Sequence, residues 1–268
     1  MKNLNKALVS ICVLTLSAAV STSAAPRSKS SRSSRMAAES SYAQEDTTTE
    51  RRFHLEPRVS YAFVNPTQLN SFLADGADRF GIKSKYKISG NINFSVQAEY
   101  EWFEGLSNGL RLDYFSSSTV TATAKQGNQS ANIQSNMMAV PVYFTTSYRY
   151  RFMNDWAISP SFGIGVPVAF QYSTEITGSD IPNLRNGEPT YSAHPFTWFA
   201  GLRGEYSISP AIALQAGVEY RGLASSQVTL DEKYGDVKAG RVLENKDAEN
   251  VKLDMKSFMT SVGVSVAL

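Results

Sequence analysis

Charged residues recur in this chain at a spacing of two: Glu56 and Arg58, Lys83, Lys85 and Lys87, Glu99 and Glu101, Arg203 and Glu205, Glu219 and Arg221, with Arg149 alone in a similar setting. Successive side chains of a β-strand point to opposite faces, so this spacing puts both partners on one face. Acidic and basic groups gathered on a buried face must pair, because an isolated buried charge is expensive. The pattern predicts an ion-pair network that fills an interior. The alternative is a narrow charged path for small ions, leaning positive through its lysines and so favouring anions.

Catalytic candidates are few. The histidines are His54 and His194. A histidine acting as general base to a serine could support acyl-transfer chemistry, and Ser192 lies close to His194. No His-x-Ser motif accompanies them, so a lipid-modifying enzyme is the weakest reading and no catalytic residue is assigned. His54 reads as an interfacial residue at the opposite end from His194, and the two cannot share a metal. No metal or other cofactor is expected. The mixed charges between Asp231 and Asp254 read as a solvated loop.

The elements that must hold these charges are strands. From Met138 to Tyr150, and again from Trp156 to Tyr172, every second residue is apolar, aromatic or Thr, apart from Pro160; the second face ends Val166, Val168, Phe170, Tyr172. A period of two means strands, and about 9–11 tilted residues span a bilayer as part of a barrel. Eight such segments are predicted: Phe53–Phe63, Phe80–Ile88, Ile92–Trp102, Met138–Tyr150, Trp156–Tyr172, Phe196–Tyr206, Ile212–Gly222 and Phe258–Leu268. Their apolar faces carry no Asp, Glu, Lys or Arg.

Short connections at Ser89-Gly90-Asn91, Phe152–Asp155 and Ser207–Pro210 alternate with long ones at Asn65–Arg79, Phe103–Asn136, Ser173–Pro195 and Leu223–Ser257. Tight periplasmic turns and long outer loops have this asymmetry. Asn108-Gly109 is a hairpin signal that would add a strand, so Leu110–Ala124 and Asn132–Met137 are read as extensions above the membrane. Thr119, Thr121 and Thr123 alternate there as an exposed arm would. Asn65-Pro66 before Leu69, Phe72 and Leu73 suggests a helical turn.

A soluble barrel also alternates, with its apolar face inward. Here the aromatics flank an aliphatic band: Tyr148, Tyr150 and Trp156 below, Tyr61, Tyr100, Trp102, Tyr172 and Trp198 above. Such girdles mark membrane interfaces. The expected fold is all-β, an eight-stranded antiparallel transmembrane up-and-down β-barrel over residues 52–268.

Ahead of it, Lys2 and Lys6, the apolar run Ala7–Val20 and the small residues Ser21–Ala25 make residues 1–24 a secretory signal peptide, cut after Ala24. Residues 25–51, rich in Ser, Thr and basic groups, read as a disordered periplasmic leader. The single cysteine, Cys12, lies within the signal. Losing Lys2 and Lys6 from 26 basic residues balances the 24 acidic ones, so nothing points to nucleic acid.

The alternating final strand ending at Leu268, the short periplasmic turns and the charged interior resemble the small outer-membrane barrels of the OmpA/OmpX type. The run Met137-Met138-Ala139-Val140-Pro141-Val142, descending from a long loop, also resembles OmpW-like barrels. The resemblance implies a Gram-negative outer-membrane location, insertion by the barrel-assembly machinery, and contact with membrane lipid and lipopolysaccharide. It further implies a structural, adhesin-like or porin-like role, with surface ligands met through the outer loops. Passage of small apolar solutes through an opening at Pro141 and Pro167 is the other channel reading.

Overall fold

The computed structural model describes residues 53–66, 69–71, 90, 92–117, 119–126, 128–153, 155–181, 185–235, 237–244 and 249–268. The expected signal peptide and leader, and the expected strand Phe80–Ile88 with Lys83, Lys85 and Lys87, lie outside these residues. The strands are β1 (Phe53–Pro66), β2 (Ile92–Phe103), β3 (Leu106–Ser116), β4 (Val120–Gln126), β5 (Gln129–Tyr148), β6 (Tyr150–Arg151), β7 (Trp156–Thr177), β8 (Thr190–Ser192), β9 (Thr197–Ser209), β10 (Ile212–Gln227), β11 (Thr229–Leu230) and β12 (Lys252–Ala267).

Eight of them form a closed antiparallel ring. In order it runs β1, β2, β3, β5, β7, β9, β10, β12, and β12 pairs back on β1 from His54↔Ala267 to Pro66↔Met255. Closure satisfies the backbone groups that an open edge would leave exposed in lipid. The count of eight holds, but the membership differs from the sequence expectation. β1 pairs directly with β2, Phe53↔Tyr100 to Tyr61↔Ile92, which leaves no place between them for Phe80–Ile88. β3 takes the remaining position.

The cause is a two-residue turn at Glu104-Gly105. Gly105 adopts φ 75°, the left-handed conformation glycine tolerates, and the inward-facing carboxylate of Glu101 accepts its N–H at 2.9 Å. Asn108 and Gly109 lie inside β3, opposite Tyr100 and Glu99. Gly90 runs against the upper part of β1, where an added Cβ would fall 1.5 Å from the Ala62 carbonyl oxygen, so it belongs to no periplasmic turn. β2 therefore descends, and Tyr100 and Trp102 join the lower girdle rather than the upper one. The connections at Glu104-Gly105, Arg149–Asp155 and Pro210–Ala211 lie at the end that holds Phe53 and Leu268.

At the other end β5 and β7 outrun the ring, paired as far as Asn132↔Thr177. β4 continues along β5 from Val120↔Ser135 to Gln126↔Gln129, β8 pairs on β7, and β11 on β8. The second long loop is thus largely strand. Residues Leu69–Ser71 are helical.

One irregularity changes a face. Val140 pairs with Ala169 but Pro141 pairs with Pro167, so Val168 is an extra residue in β7. This is a β-bulge, which shifts the alternation beyond it. Val168 and Ala169 are both exposed, whereas Phe170, Tyr172 and Ile176 turn inward and are buried. The expected continuous apolar face through Phe170 and Tyr172 is broken there, and Tyr172 belongs to no girdle. Below the bulge the outward face is apolar: Leu110, Phe144, Phe162, Ile164, Leu202, Leu214 and Val262 are all exposed. Tyr61 and Phe63, and Trp198 and Tyr220, pack as aromatic pairs above them, with Trp156 and Tyr206 below.

Candidate functional site

The inward faces of the ring strands carry the charges. Glu219 on β10 is a three-way acceptor: Oε1 takes Arg111 at 2.6 Å and Arg58 at 3.3 Å, and Oε2 takes Arg221 at 3.2 Å. Glu56 on β1 accepts from Arg58 at 2.6 Å, from Gln215 at 2.9 Å and from Arg203 across the lumen. Asp113 on β3 holds Arg111 at 2.7 Å and Arg221 at 2.5 Å. Glu99 accepts from Ser147 at 2.9 Å and from Gln97, and lies 3.4 Å from Arg203. Partners on different walls are tied side chain to side chain, and each tie crosses the space a solute would need.

At the end that holds Phe53 and Leu268, Arg149 donates to Glu205 at 2.9 Å and to His54 Nε2 at 3.0 Å, and Glu101 stands 3.7 Å from the same guanidinium. Ser159 adds a 2.7 Å bond to Glu205. A cavity of about 50 Å³ opens here among His54, Arg149, Arg151, Asp155, Glu205 and Ser265.

At the upper end the network stops against aromatic rings. Phe199 is fully buried; the Arg111 guanidinium lies 4.7 Å from its ring centre and Tyr143 meets it edge-on at 5.1 Å. Arg221 sits 5.4 Å from the Tyr143 ring, and the Tyr143 hydroxyl bonds Thr197 at 3.0 Å. Cations over aromatic faces are attracted by the ring quadrupole, so these rings cap the arginines. Beyond them the interior is apolar, with Phe115, Met137, Ala139, Phe170, Leu253, Met255 and Met259 in one core. The cavity between rings and core, about 20 Å³, has room for about one water.

The ring is closed, its outward face is apolar between two aromatic girdles, and its interior charges are paired. The profile of the outer membrane protein beta-barrel domain matches residues 12–265. The chain belongs to this outer-membrane β-barrel family. No curated protein matches it. Among solved structures it is similar to Neisserial surface protein A (NspA), at 12% identity and TM-score 0.38 over 80% of this chain and 96% of that one. It is also similar to the outer membrane protein OprG from Pseudomonas aeruginosa, at 11% identity and TM-score 0.42 over 81% and 96%. A third is the outer membrane protease OmpT from Escherichia coli, at 10% identity and TM-score 0.39 over 82% and 98%. Their names span different roles, and none assigns a role to this barrel.

Of the charges singled out by spacing, the barrel brings Glu56, Arg58, Glu99, Glu101, Arg149, Arg203, Glu205, Glu219 and Arg221 together. Lys83, Lys85 and Lys87 lie outside the described residues. Among the described residues the network holds five arginines, Arg58, Arg111, Arg149, Arg203 and Arg221, against six carboxylates, Glu56, Glu99, Glu101, Asp113, Glu205 and Glu219. Within this described set the carboxylates outnumber the arginines by one.

The network also holds Arg111 and Asp113, whose strand the sequence pattern places above the membrane. Their signal was present in Leu110 and Leu112, which alternate with them. His54 is no interfacial residue: it is buried in the lumen, between Arg149 and Ser265. His194 is exposed outside any strand, and Ser192 bonds Thr229 at 3.4 Å on the neighbouring strand. Above the membrane, burial pushes the Tyr191 phenol up to about 12 and raises that of Tyr234, so both stay neutral.

Proposed function

We propose that this outer-membrane barrel is sealed and acts through its outer surfaces, as a structural and surface-interaction protein rather than an enzyme. The observation that carries this reading is the cross-lumen bonding of Glu219 and Glu56 to arginines from other walls, capped by Phe199 and Tyr143. A conducting lumen would have to break several buried ion pairs at once, each costing several kcal/mol to leave half-made. Surface contact falls to the sheet that β4, β5 and β7 raise above the ring. Among the described residues β4 pairs on one side only, and a free strand edge can accept a partner strand. Insertion by the barrel-assembly machinery and contact with lipopolysaccharide belong to the same reading.

The test is single-channel recording of the refolded, heat-modifiable protein in a planar bilayer. Silence is the expected result. Discrete conductance steps that change with Glu99→Gln or Arg149→Gln would overturn the sealed lumen.

A second reading rests on Pro141 facing Pro167 across the bulge, since neither can donate to the ladder. The β5–β7 seam is weakest there, and an apolar molecule could leave sideways into the membrane. The paired positions Val140 and Ala169 allow a direct check, because Cys12 is the only cysteine of the chain. In a Val140→Cys, Ala169→Cys variant, oxidation should lock the seam and stop uptake of an apolar solute by vesicles carrying the protein. Uptake equal in oxidised and reduced protein removes this reading.

A further inference from the structure

β4 ends the sheet that rises above the ring, and among the described residues only β5 pairs with it, from Val120↔Ser135 to Gln126↔Gln129. Two residues separate Gln126 from Gln129, so this pair closes a tight hairpin and is hydrogen-bonded. Bonded and non-bonded pairs alternate along antiparallel strands, which makes Lys125↔Ser130, Thr123↔Asn132 and Thr121↔Gln134 the non-bonded ones. The backbone N–H and C=O of Thr121, Thr123 and Lys125 therefore point away from β5, along the open edge. Side chains approach closely in such a pair, and the Thr123 hydroxyl donates to Asn132 at 3.2 Å. Thr121, Thr123 and Lys125 are exposed, while Ala122 and Ala124 belong to the apolar core behind them.

We propose that this edge pairs with the same edge of a second copy held in a facing membrane. The proposal rests on the surface-acting reading and names its partner. Centred on Thr123, antiparallel self-pairing sets the two Thr123 residues together, and Thr121 of each copy against Lys125 of the other. All three edge residues are then bonded, through about six backbone hydrogen bonds. Three observations select a second copy. Lys125 is the only charged residue of β4, and this register puts it opposite a threonine, so no like charges meet. On the inner face Ala122 meets Ala124 of the second copy, which extends the apolar side of the sheet without burying a polar group. Val120, Thr121 and Thr123 favour strand, and no proline interrupts the ladder.

Symmetry then fixes where the second copy stands. Identical antiparallel strands are related by a two-fold axis perpendicular to their sheet. The sheet continues the barrel wall, so this axis lies in the plane of the membrane and turns the second barrel over. Barrels in one membrane share an orientation and cannot meet this way; barrels in two facing membranes can. Strands rising about 3.3 Å per residue at a tilt of about 40° lift Asn132, the neighbour of Thr123, about 20 Å above Val140. One such pairing is weak, and many across a contact zone act together.

Phosphatidylcholine vesicles carrying the refolded full chain, mixed with bare vesicles of a second colour, test this by light scattering and two-colour microscopy. Protein-bearing vesicles should cluster with one another and leave the bare ones out. Thr123→Pro should abolish clustering, and because the Thr123 N–H faces the open edge, the heat-modifiable fold should remain. Thr121→Lys, which sets a lysine against Lys125 of the second copy, should slow clustering about fivefold. Adding Lys125→Glu should restore the original rate, a repair that depends on this antiparallel register. Dispersed vesicles of folded protein, recruitment of bare vesicles, clustering that survives Thr123→Pro, or failure of the charge repair would each overturn the proposal. The sealed-lumen reading fails separately, by conductance, whatever the vesicles do.

Discussion

Glu219→Ala should be the most damaging single substitution in the lumen. It strips the shared acceptor from Arg58, Arg111 and Arg221, all buried, and leaves Arg221 and Arg111 leaning on Asp113 alone. Removing one member of a buried ion-pair cluster costs about 3–5 kcal/mol, because the stranded charges keep their desolvation penalty. Urea unfolding of the refolded barrel, read by the gel shift between folded and boiled protein, should show that loss. Glu175→Ala, on the exposed upper face, should change stability by no more than about 0.5 kcal/mol. Equal behaviour of the two variants would mean that the lumen network contributes nothing specific. Glu219→Gln should fall between them, since the amide keeps an acceptor oxygen but loses the charge.

Gly163→Ala should produce the next largest effect, for a steric reason. A Cβ at Gly163 would lie 2.2 Å from Cε1 of Phe199, well inside contact distance. Phe199 cannot readily yield, being held by Tyr143 on one side and by the Arg111 guanidinium over its face. Overpacking of this kind costs about 1–3 kcal/mol. The diagnostic is the pair with Phe199→Leu. The smaller, flexible side chain opens the space, so the double variant should be more stable than the sum of the single losses predicts. A double-mutant cycle of contacting residues resolves such coupling at about 0.5–3 kcal/mol. Strict additivity would show that Gly163 and Phe199 do not press on each other.

Both expectations concern positions that the sequence marks unequally. Glu219 stood out because Arg221 follows it two residues later on an alternating strand. Nothing along the chain marks Gly163 or Phe199, which lies between Trp198 and Ala200, as partners. The slot exists because β7 and β9 pair Gly163 with Phe199. That is a relation between strands, invisible along either one.

Local chemistry, legible in the residues alone, determined that this chain is built of strands, that one face of each is lipid-like, and that charges gather on the other. Alternation with a period of two is a property of each segment by itself. The same periodicity puts eight of the lumen charges on inward faces by their spacing of two, with Arg149 beside them on another strand. Which strands neighbour which was decided only by the tertiary structure, because pairing joins residues far apart in sequence. Leu106–Ser116 entered the ring, and no place was left between β1 and β2 for Phe80–Ile88. Through that exchange Arg111 and Asp113 came into the lumen, and Tyr100 and Trp102 moved to the lower girdle. The bulge at Val168 was hidden as well. A run of alternating residues carries no mark of where a partner strand, here with Pro141 facing Pro167, will force one residue out of step and turn Phe170 and Tyr172 inward.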